Sequence, residues 1–451
     1  MTGVWNRLRH HLMPPKPPHI QLHVRSRMSY ALGEASWTSV DQLTAGTNTA
    51  ALMLFLGFQD GFIGMVISVG ALACIVQMLT LPLHSRFRSH RTVVTVTAAV
   101  RFMMPLLFLI PLLPADPGLK MTVFIVIYVG AKLLIAMGGP VASEWIAQLT
   151  PMSIRGRYFG AKDATCVVVQ ATALLLTGLI LDKYKETAPV VAFQWVALFV
   201  FIFCICGLVG FLVTKDIPNR SYGEKKRLSI VHEVKDCLDS RPFRLILISD
   251  LLWQVSFYVA APFNSSYSIK EMGLSFTFLT VAGFASSIGR IFCSRFMGRW
   301  ADRTSMTKAL STALLFYAGT YVFWILMRPS TAVPVYLVLL VFATIAWSFI
   351  GAGMFGIKLA LMPEDKRPRQ LAVTSAISGT TGFIMSFLSG QLLNYLQTLS
   401  MSIGGMVIYP QQILNGLGVC ATMVLVVYLR RVMGREEENY LKRQADEGTF
   451  R

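Results

Sequence analysis

The sequence predicts an all-α membrane protein of twelve transmembrane helices, built as two pseudo-symmetric six-helix bundles. Three observations carry this. The chain is 54% hydrophobic and only 14% charged; its apolar residues gather into twelve stretches of membrane-crossing length; and its second half repeats features of the first. Soluble domains carry about 25% charged residues, so a chain of 451 residues this poor in charge cannot cover a water-facing surface. The lipid bilayer is its expected surroundings.

Crossing a hydrocarbon layer about 30 Å thick takes about 20 apolar residues. The stretches that qualify are 30–56, 61–81, 92–113, 120–148, 158–181, 190–213, 243–266, 275–297, 308–327, 334–361, 370–396 and 406–430. Several are interrupted by Gly or Pro, which a bundle tolerates where neighbours satisfy the freed backbone groups. Spans 1, 7 and 11 are the most polar and are expected to face protein or water.

Lys and Arg set the orientation. With the N-terminus inside, 32 of the 41 basic residues fall on the inner side, five outside (Lys120, Lys183, Lys185, Lys270, Arg328) and four within spans. That bias places both termini in the cytoplasm. The chain then divides into a basic N-terminal tail (1–28), a first bundle (29–213), a cytoplasmic linker (214–242), a second bundle (243–430) and a C-terminal tail (431–451). The tail lacks the apolar core of a signal peptide. The linker holds Lys225-Lys226-Arg227 and an amphipathic stretch from Ile230 to Leu238, which reads as a helix on the membrane surface.

The repeat has an offset of 212 residues. Pro151 lies over Pro363, Arg155 over Arg367, Arg157 over Arg369, Gly178 over Gly390, and Gly61 over Gly273. Two duplicated six-span units that both start inside are related by an axis along the membrane normal, and the substrate path of such folds lies between them.

Several function classes fall away. The net charge of +18 would suggest nucleic acid in a soluble protein, but here the basic residues sit between apolar spans, so no nucleic-acid partner is expected. The seven cysteines form no C-x-x-C and have no partnered His, so no metal site or disulfide framework is expected. No nucleophile, base and ligand set converges, so no catalytic residues or cofactors are assigned. No G-x-x-x-x-G-K-[ST] loop is present to bind a nucleotide.

The candidate functional residues are ionisable groups within spans, each costing about 2.5–3.5 kcal/mol on insertion scales unless paired or wetted. Glu34, Asp41 and Asn48 recur every seven residues in span 1, with Trp37 between them. Seven residues are close to two turns, so these form one polar stripe, expected to line a central cavity. At ~1.5 Å per residue, Asp41, Lys132 and Arg101 lie ~14–18 Å into their spans, near the midplane. Asp41 with Lys132 or Arg101 is the favoured pair for substrate or proton, and a static ion pair that only fixes helices is the alternative. Asp250 and Gln254 of span 7 complete the cavity set. Glu144 and Lys358, nearer the cytoplasmic ends, suit an inner gate between the halves. Asp250 and Arg290 suit a second pair.

The loop Gly298-Arg299-Trp300-Ala301-Asp302-Arg303 resembles the major facilitator signature G-x-L-A-D-R-x-G-R-K, with Trp300 for the leucine and Ser305 for the second glycine. Glu34, Leu43, Thr44 and Gly46 in span 1, and Pro151 with Arg155 to Gly160 after span 4, are similar to motifs of bacterial permeases of that superfamily. The resemblance implies a gating role for Gly298, Asp302 and Arg303, with Asp302 bonding the start of a neighbouring helix. The family's antiporter signature in span 5 is absent from Lys162 to Asp182.

The function expected is a secondary active transporter moving a small solute by alternating access, coupled to a proton gradient and acting as a monomer. The balance of four acidic and four basic residues in the spans argues against a pore of one sign. A non-transporting sensor or scaffold that keeps the fold is the alternative.

Overall fold

The computed structural model describes residues 24–84, 87–150, 155–184, 186–217, 230–362, 367–399, 402–403 and 406–438. Most of the N-terminal tail, the motifs beginning at Pro151 and Pro363, the basic run at 225–227 and the end of the C-terminal tail lie outside the described residues.

Nine helices among the described residues are long and apolar enough to cross a bilayer, and Asp60–Val76 forms a shorter apolar one. The remaining spans escape such a test because they are broken. Span 1 consists of Val24–Leu43 and Gly46–Phe55, parted where Gly46 takes a φ of 53°, a conformation glycine adopts without steric cost. Span 2 is Asp60–Ile67 followed by Val69–His84. Span 3 begins as His90–Val100, tightens into a 3₁₀ turn at Arg101–Met103 and resumes as Met104–Leu107, with Pro105 in its first turn. Span 4 is Pro117–Ala136 and Gly139–Leu149, started by Asp116, whose carboxylate accepts from Leu119 N. Spans 5 and 6 are Arg155–Tyr184 and Pro189–Val213.

In the second half, a short helix Ile230–Leu238 precedes span 7, which is Arg241–Tyr258 continued by Asn264–Lys270. Spans 8 and 9 are Phe276–Arg303 and Met306–Leu326, opened by Ser275 and Ser305 as N-caps. Span 10 is Ala332–Trp347 and Ile350–Leu361, span 11 is Arg367–Gln397, and span 12 is Pro410–Tyr428. The expected start of span 12 at 406 is corrected. Met406–Val407 instead pairs antiparallel with Ser402–Ile403, and Pro410, at the first turn, starts the helix.

Each half packs around its own core, with Val40, Leu52, Phe124 and Val196 in the first and Leu310, Tyr321, Leu393 and Leu425 in the second. Span 1 packs on spans 5 and 6, span 4 on 2 and 3, span 7 on 11 and 12, and span 10 on 8 and 9. Across the halves the long seams are span 2 against 11 and span 5 against 8. Spans 1, 4, 7 and 10 therefore stand around the axis between the halves. The end carrying residues 24–27 and 436–438 is the terminal end below; the opposite one is the far end.

Candidate functional site around Asp41

The far end is closed. Asp60 of span 2 accepts from Lys270 Nζ of span 7 at 3.0 Å and from Gln397 Nε2 of span 11 at 2.7 Å. Next to it Gly61 N donates to Asn394 Oδ1 at 3.1 Å, and a Cβ on Gly61 would stand 2.2 Å from Gly390 O. On the other seam Asp182 accepts from Phe276 N and Thr277 N, the free amides that open span 8. These cross-half contacts were not foreseen from sequence. The signal was available in part: Gly390 and Gly178 both appear in the internal repeat, and both meet the opposite half closely.

At mid-depth, Asp41 Oδ2 accepts from Arg101 Nη2 at 3.0 Å, and its Oδ1 lies 3.8 Å from Lys132 Nζ. The 3₁₀ turn presents Arg101, whose guanidinium stacks 3.5 Å above the Trp37 ring. Arg101 and Lys132 are nearly enclosed, while the Asp41 side chain is 34% exposed. The open side of this cluster is thus a carboxylate shared by two cations held behind it.

Asn48 does not continue the stripe. The break at Gly46 rotates the second helix of span 1, and Asn48 is buried with its Nδ2 donating to Thr177 Oγ1 at 3.2 Å. Glu34 stays on the Asp41 face and is bonded by Lys162. No partner for Glu34 is foreseen from sequence. Span 5 begins at Arg155, which puts Lys162 two turns inside the helix, and the otherwise unpartnered Glu34 was the signal for it.

The expected gate pairs are corrected. Lys358 bonds Asp250 at 2.5 Å, joining spans 7 and 10 of one half. Glu144 sits on the segment packed against the start of span 3, and its Oε2 lies 3.8 Å from His90 Nε2. Arg290 bonds Ser287 Oγ at 3.2 Å rather than Asp250. Gln254 is half-buried against Gly382 of span 11. Gly298 would accept a Cβ without contact, and Arg303 is exposed. The Asp302 side chain lies outside the described ones. The carboxylate found on the first turn of span 9 is Glu437, which accepts from Met306 N at 2.9 Å and Thr307 N at 3.1 Å.

The sequence matches the family model of the Major Facilitator Superfamily over residues 38–390. No curated protein matches it by sequence. Among solved structures, the nucleoside transporter NupG aligns with a TM-score of 0.66 at 11% identity, over 90% of this chain and 99% of that one. A bacterial homologue of the iron transporter ferroportin in an inward-facing state also gives 0.66, at 15% identity over 90% and 98% of the two chains. A D-xylose–proton symporter gives 0.63 at 14% identity, over 89% and 97%. These likenesses are of fold.

Proposed function

Because the chain belongs to the Major Facilitator Superfamily, we propose that it is a secondary active carrier that moves a small solute by alternating access and is driven by a proton gradient. The observation that carries the reading is the Asp41 cluster: one third-exposed carboxylate shared by two enclosed cations at mid-depth. Facing the opening, the carboxylate is within reach of water and solute, as intramembrane carboxylates on transport paths are. Proton uptake by Asp41 frees Arg101 and Lys132, which couples protonation to the charge a solute meets.

The excess of basic residues on one side supports both termini being cytoplasmic in a bacterial inner membrane. With that orientation the closed far end is external, and the conformation is the one loaded or emptied from inside. Its TM-score of 0.66 with the inward-facing ferroportin homologue, against 0.58 with an outward-facing one, supports the same assignment.

The test is solute uptake into proteoliposomes under an imposed proton gradient, comparing wild type with Asp41→Asn. Gradient-driven accumulation should be lost in the variant. If Asp41→Asn concentrated every tested solute as well as wild type, Asp41 would not be the coupling group.

A further inference from the structure

Span 8 carries two opposed faces. Val281, Ala285, Ile288, Phe292 and Phe296 are exposed and apolar, and at 100° per residue they fall on one stripe. Gly283, Ser287, Arg290 and Ser294 fall on the opposite stripe, and they too are exposed or half-buried. The apolar stripe meets lipid, so the polar one meets the opening between the halves. Arg290, in the middle of the 28-residue helix, points the same way.

Arg290 differs from four other cations within the spans, each of which has a carboxylate. Arg101 and Lys132 share Asp41, Lys162 has Glu34, and Lys358 has Asp250. Among the described residues no carboxylate pairs with Arg290, and its hydrogen-bond partner is the neutral Ser287. A guanidinium does not relieve this by losing its proton, because it stays charged in proteins. It therefore requires an anion or water.

Beside it stands an aromatic wall. Thr344 of span 10 donates to Ser286 Oγ at 2.8 Å. Arg290 lies one turn beyond Ser286 and Trp347 three residues beyond Thr344, both toward the terminal end, so they share a depth. Trp347 is 38% exposed and meets Trp253 and Phe257 of span 7 edge-on, with centroids 5.9 and 5.8 Å away.

We propose that Arg290 forms the anion-binding part of the solute site, and that the cargo is an organic anion whose flat apolar body lies on Trp347 and Phe257. This rests on the carrier reading above and narrows it to one substrate class. Guanidinium binds oxyanions through paired N–H donors, and the faces of aromatic rings accept a flat partner by stacking. A cationic solute would meet Arg290 unshielded.

The test uses the full chain purified in detergent and thermal stabilisation by matched probes. These are benzoate, phenylacetate and indole-3-acetate, the corresponding amides, and benzylamine. At least one anion should stabilise wild type at a concentration about ten-fold or more below that of its amide. Arg290→Gln should erase that preference, Arg290→Lys should keep part of it, and Trp347→Ala should weaken acid and amide alike. Removing an unpaired cation does not threaten folding, and the probe-free melting temperatures check this. The assignment is overturned if no anion is preferred to its amide, if benzylamine stabilises as well as the acids, or if Arg290→Gln keeps the preference. Counterflow of the same probes in proteoliposomes separates the two claims. Asp41-dependent counterflow of a neutral or cationic probe would sink the anion class and leave the carrier standing. Anion binding with no counterflow would do the reverse.

Discussion

Asp60 and Lys270, 210 residues apart in sequence, sit 3.0 Å apart and tie the far ends of the two halves together. The Asp60 side chain is fully enclosed, while that of Lys270 is 52% exposed, so solvent screens the pair and its strength is modest. Lys270→Gln should lower the ratio of far-closed to far-open protein about five-fold, roughly 1 kcal/mol. Spin labels on Gly118→Cys and Thr398→Cys would read this as growth of the longer distance. An unchanged distribution would show that the pair does not hold the closure.

The neighbouring glycine contact should matter more. A Cβ on Gly61 would meet Gly390 O at 2.2 Å, and one on Gly390 would meet Gly61 O at 2.6 Å. Backbone cannot move aside as a side-chain tip can. Gly61→Ala or Gly390→Ala should therefore cost the closed conformer about 1–3 kcal/mol and hold the far end open in the same distance measurement, while solute turnover falls at least ten-fold. Normal turnover in either variant would mean that the spans do not approach this closely.

Much of the architecture was legible because lipid imposes length, apolarity and charge bias together. The all-α membrane fold, the helix over Ile230–Leu238 and the meeting of Asp41 with Arg101 and Lys132 follow from those rules. Polar partnerships were less legible, since spacing fixes depth and leaves azimuth open. Lys358 could be placed near one end of span 10, but only packing shows that it turns to Asp250 and away from Glu144. Asn48 kept its period until the turn at Gly46 rotated the helix. The 212-residue offset also slips locally: the N-cap serines Ser89 and Ser305 occupy equivalent places at a separation of 216.

Those two serines predict a paired stabilising device. Ser89 donates to Asp216, just after span 6, at 2.6 Å, and Ser305 donates to Glu437, just after span 12, at 3.0 Å. In each half a carboxylate beyond the sixth span sits on the first turn of the third, where free amides and the helix dipole favour negative charge. Asp216→Ala and Glu437→Ala should each cost about 1 kcal/mol. The double variant should lose the sum, because the sites lie in separate halves. Denaturation midpoints would check this, and a strongly non-additive double variant would contradict independent caps.

Asp250 and Lys358 offer a direct test of pairing. Reversing either charge alone leaves two like charges together in a buried place and should abolish folding or transport. The swap Asp250→Lys with Lys358→Asp should restore a substantial part of both. The same swap between Glu144 and Lys358 should restore nothing, because their partners are His90 and Asp250. Rescue by the second swap and not the first would mean that the pairing changes during the transport cycle.

The far end should also respond to acid through Glu271, which lies just beyond span 7 and 3.9 Å from Lys270. Burial raises its carboxyl above the ordinary carboxylate value, and Asp60 adds to this while Lys270 opposes it. A raised value in the closed form means that closure binds the proton. Its contribution to closure is therefore fully present below the ordinary range, near pH 4, and is lost as pH rises through the raised value. Protonated Glu271 also stops competing with Asp60 for Lys270. Acidifying the far side should favour the closed conformer, and Glu271→Gln, neutral at every pH, should hold it closed and remove this part of the response. Distances between far-end labels, followed against pH in both proteins, isolate Glu271 from other carboxylates such as Asp60. An unaltered pH response in Glu271→Gln, or a far end that opens in that variant, would overturn the assignment.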